Sequence, residues 1–162
     1  MEEVLLKLAR ALNKADVKWA VGASMLLKYY KIVETAGDID ILVSTEDIEK
    51  CLTALSEFER AAKVHSKAGF SSVHFEKYCI DGVGIDVMFG LTISSDKGKY
   101  SYPFENETPL EIEVKGEKLY YASLQEWSKA YSYMIGREKK VELIEAYFQT
   151  VSCRSECLTM QK

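Results

Sequence analysis

Residues 38–43 read Asp-Ile-Asp-Ile-Leu-Val, a run of strand-forming residues in which acid falls on one parity only. A strand turns successive side chains to opposite faces, so Asp38 and Asp40 share a face, with Cα atoms about 6.5–7 Å apart, while Ile39 and Ile41 point the other way. Such a segment belongs in a sheet that is covered on one side and open on the other. The pattern recurs at Asp86, which lies between Ile85 and Val87. Aspartate is depleted in strands, so three of them at matching parity in apolar surroundings ask for a cause. One cause is water: Asp38 caps the loop after Gly37, and Asp40 and Asp86 sit on a wet sheet face. The other is convergence. If the two strands are neighbours, three carboxylates meet, repel one another and drive their pKa values up until cations neutralise them.

The rest of the chain supplies elements to either side. Val4, Leu5, Leu8, Ala11, Leu12 and Ala15 recur at helical spacing and predict an amphipathic helix ending near Asp16. Val17–Val21 predicts a short buried strand, Gly22 a tight turn, and Met25, Leu26, Leu27 and Tyr30 a second helix. After the Asp38–Val43 strand, Ser44 with Asp47 resembles a capping box for a helix carrying Ile48, Cys51, Leu52, Leu55 and Phe58. From Phe70 the period changes to two. Val73, Phe75 and Tyr78, then Val83, Ile85, Val87 and Phe89, flank Asp81-Gly82 and predict a hairpin. A second hairpin is predicted from Leu110, Ile112 and Val114, Gly116, then Leu119 and Tyr121. Between the hairpins, Ser94–Asn106 is rich in Gly, Ser and Lys and reads as a mobile loop. Ser123 with Glu126 opens a helix through Ile135, Gly136 breaks it, and Val141, Leu143, Ile144 and Phe148 continue a last one. The 162 residues make one domain over 1–150, with the C-terminal helices from about 123 and a flexible tail over 151–162.

Three carboxylates of hard oxygen are a donor set for magnesium or manganese, and two such ions can clamp the attacking and leaving oxygens of a phosphoryl or nucleotidyl transfer. Gly22-Ala23-Ser24, where a strand meets a helix, bears on this. Small residues let a phosphate approach the backbone, and the first N–H groups of a helix face outward. Taken alone, the same tripeptide is also an ordinary strand-to-helix turn with Ser24 as N-cap.

The order of a strand, Gly22-Ala23-Ser24, a helix, Asp38-Ile39-Asp40-Ile41 and then Ile85-Asp86-Val87 resembles the DNA polymerase β-like nucleotidyltransferase superfamily. Its members share a hydrophobic-G-[GS] turn, a DhD strand and a later strand with a third carboxylate. The likeness covers residues 17–90, and Gly136-Arg137-Glu138-Lys139 is similar to a GR-x-K segment of small family members related to antibiotic-modifying and antitoxin-type proteins. Ala23 stands where Gly or Ser is usual, and Lys140 where Asp is frequent. The resemblance implies an α/β (α+β) fold with a mixed β-sheet flanked by helices. It implies that Asp38, Asp40 and Asp86 are the catalytic and metal-binding residues, Asp86 as ligand or general base. Gly22, Ala23 and Ser24 would bind the nucleotide. It further implies Mg2+ or Mn2+ as cofactor, a nucleoside triphosphate such as ATP as co-substrate, and a hydroxyl acceptor on a small molecule or a protein. The alternative is a catalytically silent module of the same fold that binds a nucleotide, or an antitoxin-type partner protein.

Weaker signals surround this core. His74, two residues from Ser72 and from Glu76, reaches the acidic face if the hairpin pairs to suit; His65 is less suggestive. Tyr120, Tyr121, Tyr131 and Tyr133 suit core packing better than base stacking. Arg137, Lys139 and Lys140 are phosphate contacts or a solvated charge run. Cys51, Cys79, Cys153 and Cys157 form no CxxC pair and read as reduced thiols. A net charge of −4 and a pI near 5.3 offer no basic field for duplex nucleic acid. With no long apolar run and an acidic Met1-Glu2-Glu3 start, a cytoplasmic location away from membranes is expected.

Overall fold

The computed structural model describes residues 1–61 and 69–159, with side chains as far as 153. Helix α1 (Glu2–Lys14) buries Val4, Leu5, Leu8 and Leu12 on one stripe, as the spacing predicts. The Val17 N–H closes onto the Leu12 carbonyl, so strand β1 is confined to Trp19–Val21. Helix α2 (Ala23–Tyr29) follows at once, and strand β2 (Ile39–Val43) pairs antiparallel to β1.

The Ser44 capping box does not form. Ser44 Oγ accepts from the Glu46 N–H and caps a 3-10 turn, while Asp47 accepts from the Lys18 N–H instead of reaching back. Helix α3 therefore starts only at Ile48; it runs to Ala54 and stops before Phe58. Strands β3 (Glu59–Arg60) and β4 (Phe70–Ser71) precede the expected hairpin of β5 (His74–Ile80) and β6 (Val83–Phe89). Its turn places both Asp81 and Gly82 at positive φ, the conformation that matches the twist of the flanking strands.

Ser94–Asn106 is not a loop. Strands β7 (Thr92–Ser95) and β8 (Gly98–Ser101) pair with each other, β4 pairs with β7, and a 3-10 turn covers Phe104–Asn106. Composition pointed to a loop because the exposed positions are Gly, Ser and Lys. Ile93, Tyr102 and Phe104 are nonetheless buried, and that burial holds the segment in place. Strands β9 (Leu110–Val114) and β10 (Glu117–Tyr121) form the second hairpin, followed by helices α4 (Leu124–Tyr133) and α5 (Glu138–Thr159). Ser123 Oγ caps α4 by accepting from the Glu126 N–H, although its own N–H goes to Glu107 rather than Glu126.

The result is an α+β fold with a mixed seven-stranded sheet, in the order β3-β5-β6-β2-β1-β10-β9, beside a three-stranded sheet β4-β7-β8. Parallel pairing joins β2 to β6 and β1 to β10. Ile39, Ile41, Val43, Ile85, Val87 and Phe89 fill the core on one side of the central strands. No helix among the described residues is long and apolar enough to cross a membrane.

Candidate active site

The site forms where β1 ends and β2 begins. The parallel register of β2 and β6 sets Asp40 directly beside Asp86, and Asp38 stands just ahead of β2 on the same parity. Carboxylate oxygens of the three lie within 4.8 Å of one another. Asp38 is exposed, and Asp40 and Asp86 are partly buried. Burial pushes the Asp40 carboxyl up to about 7, with the Asp38 and Asp86 charges adding to the shift and Lys140 and Lys77 opposing it.

Lys77 is the first cation of the site. It sits opposite Asp86 in the β5–β6 hairpin, and its Nζ donates to both carboxylate oxygens at 2.7 and 3.0 Å. Sequence reasoning missed it, yet counting outward from the Asp81-Gly82 turn pairs Lys77 with Asp86. The same register disposes of His74. It pairs with Phe89, packs edge-on against that ring and bonds to Glu76, so it lies on the face opposite Asp86 and does not reach the acids. His65 lies outside the described residues. Cys153 is an exposed free thiol, and the side chain of Cys157 also falls outside them.

Gly22-Ala23-Ser24 closes the site from the other side. The Gly22 N–H donates to the Asp40 carbonyl at 2.9 Å, so the turn is tied to the acid-bearing strand. Gly22, not Ser24, is the N-cap of α2. A Cβ at Gly22 would lie 2.2–2.6 Å from the indole of Trp127, so only glycine fits beneath this ring. Ala23 adopts φ +45, a left-handed conformation that costs a residue with a Cβ about 1–2 kcal/mol. Trp127 and Tyr131, one turn apart on α4, are both buried. Tyr121 and Tyr131 are both buried in the core as expected, and Tyr121 also stacks on Tyr29 beside a groove of about 600 Å³ lined by Tyr30, Tyr147 and Phe148.

The second cation comes from α5. Lys140 is half-buried, and its Nζ donates to Ser24 Oγ at 3.0 Å and to the Tyr131 hydroxyl at 3.4 Å. It is therefore not part of a solvated charge run, unlike the exposed Arg137 and Lys139.

The fold recurs in solved structures. A candidate nucleotidyltransferase from Thermotoga maritima matches with a TM-score of 0.67 and 25% identity over 92% of each chain. The chain has the nucleotidyltransferase fold. Two adenylyltransferase structures share this fold at lower identity. The lincosamide antibiotic adenylyltransferase LnuA, lincomycin-bound, matches with a TM-score of 0.58 and 13% identity over 91% of this chain and 98% of that one. ANT(2'')-Ia in complex with adenylyl-2''-tobramycin matches at 0.57 and 11% identity over 96% and 92%. No family model and no curated protein matches the chain. Two lysines flank the acids of this chain, Lys77 bonded to Asp86 and Lys140 to Ser24 and Tyr131.

Proposed function

We propose that the protein is a metal-dependent enzyme that transfers a nucleoside monophosphate from a nucleoside triphosphate to a hydroxyl group on a small molecule or a protein. The meeting of Asp38, Asp40 and Asp86 within 4.8 Å carries this reading. Three carboxylates this close repel one another, a cost to a fold that needs them for nothing else. The likeness to adenylyltransferases solved with lincomycin and with adenylyl-2''-tobramycin supports a nucleotide donor and a small hydroxyl acceptor.

The donor set fits a divalent cation, being all hard carboxylate oxygen, with Asp40 pushed up to about 7 by burial and by the two neighbouring carboxylates. Asp38 and Asp40 would hold Mg2+ or Mn2+, with Asp86 as a further ligand or as base. When bound, the ion neutralises phosphate charge and stabilises the leaving pyrophosphate. Gly22, Ala23 and Ser24 would receive the nucleotide phosphates. Asp86, oriented through both oxygens by Lys77, would take the proton of the acceptor hydroxyl. The acceptor oxygen then bonds the α-phosphorus as the bond to pyrophosphate breaks.

A second reading, a silent module that binds a nucleotide or an antitoxin-type partner protein, has one observation in its favour. Ala23 is left-handed where glycine would be at ease. Thermal melting with Mg2+ and each nucleoside triphosphate, beside Asp38→Ala and Asp40→Ala, separates the two. A ligand at 100 times its Kd adds about 2.7 kcal/mol, or about 5–10 °C in a domain of this size. A shift that requires metal and vanishes in both variants, followed by pyrophosphate release with a hydroxyl acceptor, supports the enzyme. No shift with any nucleotide refutes it.

A further inference from the structure

Helix α4 stops at Tyr133, short of the expected Ile135, Gly136 at φ +76 lies in the turn that follows, and the Arg137 carbonyl accepts from the Lys140 and Val141 N–H groups to start α5. This local geometry turns Lys140 inward while Arg137 and Lys139 stay in solvent. The Lys140 stem is half-buried and its Nζ lies 4.9 Å from the centroid of the Tyr131 ring, a cation–π distance. Its two hydrogen-bond partners, Ser24 Oγ and the Tyr131 hydroxyl, are both neutral. Among the described residues no carboxylate forms an ion pair with it; Asp40 and Asp38 act on it only at longer range.

A lysine so placed has given up hydration and side-chain freedom without gaining an anion. An ammonium carries three donors, and two are engaged here by weak neutral acceptors. Burial and the nearby Arg137 disfavour its charge, and the acids at longer range favour it. The arrangement is that of a cation waiting for an anionic partner next to Ser24. Its position bears on the acids as well. A divalent ion held by Asp38 and Asp40 would offset the long-range pull of those carboxylates on Lys140 and favour an anion on the Ser24 side as its partner.

We propose that Lys140 is the triphosphate-binding residue of this site, its ammonium moving from Ser24 Oγ onto a phosphate oxygen when nucleotide arrives. The proposal rests on the nucleotidyl-transfer reading above and assigns the phosphate end of the nucleotide to the Ser24–Lys140 side. It also separates two kinds of binding. Lys140 attracts phosphate and repels a metal ion, so its loss weakens the one and leaves the other intact or improved.

The test is calorimetric titration of the full chain with Mn2+ alone and with Mn2+ plus an α,β-methylene analogue of ATP, which cannot be turned over. Lys140→Met keeps most of the stem, and Lys140→Gln keeps a neutral donor, one atom shorter, without the charge. In both variants the analogue should bind about 10- to 100-fold more weakly, the scale of a charge-assisted hydrogen bond, while Mn2+ alone binds as in the wild type or more tightly. Lys140→Arg should lose less than either. If Lys140→Met does not fold, Lys140→Gln carries the measurement. Unchanged analogue affinity in the neutral variants overturns the proposal and leaves Lys140 as packing for Tyr131. Parallel loss of Mn2+ and analogue overturns it too, because Lys140 then only shapes the site. A wild-type protein that takes Mn2+ but no triphosphate fails the nucleotidyl-transfer reading and the proposal with it.

Discussion

Replacing Asp40 by Asn should stabilise the metal-free protein, and by an amount that depends on pH. The Asp40 carboxyl moves from an ordinary 3.8 to about 7 in the folded chain. At about 1.4 kcal/mol per pH unit, that is a penalty of about 4 kcal/mol for the fully ionised group. Burial is the largest cause, and repulsion from Asp38 and Asp86 adds to it on the scale of about 3.5 kcal/mol for two carboxylates at the 4.8 Å limit of the cluster and an effective dielectric constant near 20, with Lys77 and Lys140 offsetting part. The sign follows from proton binding. Below about pH 3.8 both folded and unfolded chains hold the proton and Asp40 contributes nothing. Between about 4 and 7 the unfolded chain has lost it and the folded chain has not, so stability falls with each pH unit, and above about 7 the whole penalty is present. Asn has the same shape and no charge. Urea or thermal unfolding in EDTA should therefore find Asp40→Asn about 2–4 kcal/mol more stable than wild type at pH 8, roughly 4–16 °C in Tm, with the gap shrinking to near zero at pH 4. Saturating Mn2+ should reverse the order, because only the wild type has the carboxylate to hold it. An Asn variant that is no more stable at pH 8 in EDTA, or whose advantage does not depend on pH, would refute the account of the site as a cluster short of positive charge.

Two other substitutions probe what surrounds the acids. Gly22→Ala puts a methyl group 2.2–2.6 Å from the Trp127 indole and should cost about 1–3 kcal/mol in urea unfolding; Trp127→Phe, which removes the ring atoms it meets, should recover part of that loss in the double variant, and strict additivity would show that the clash is not the cause. Lys77→Met leaves Asp86 with no cation on its two oxygens and should destabilise the metal-free protein at pH 8 by about 1–2 kcal/mol, while Asp86→Asn on its own costs less; a double-variant cycle with coupling below about 0.5 kcal/mol would mean that the ion pair does not orient Asp86.

The elements that became legible from sequence are those whose cause is local. The β5–β6 and β9–β10 hairpins followed from alternation around Asp81-Gly82 and around Gly116, because a tight turn of that chemistry leaves few ways for its flanks to pair. The same register rule contains the Lys77–Asp86 pair and places His74 on the core side. The late start of α3 and the β7–β8 pair were not legible, since each depends on a competing partner far along the chain. Asp47 turns to the Lys18 N–H, and the polar segment after Ser94 is held by burial of Ile93, Tyr102 and Phe104.

Sequence alone determined which residues the site could be made of: acids on one parity of two apolar strands, and a turn of small residues between a strand and a helix. These are set by the twofold period of the strand and by local backbone geometry, which each segment carries wherever it lies. Tertiary structure decided that β2 and β6 are parallel neighbours with Asp40 level with Asp86, that Trp127 lies over Gly22, and that Lys140 reaches Ser24 from more than a hundred residues away. No local rule specifies these meetings. They follow from the one strand order that buries Ile39, Ile41, Ile85 and Val87 together, and the acids, on the opposite parity, are brought face to face as a consequence.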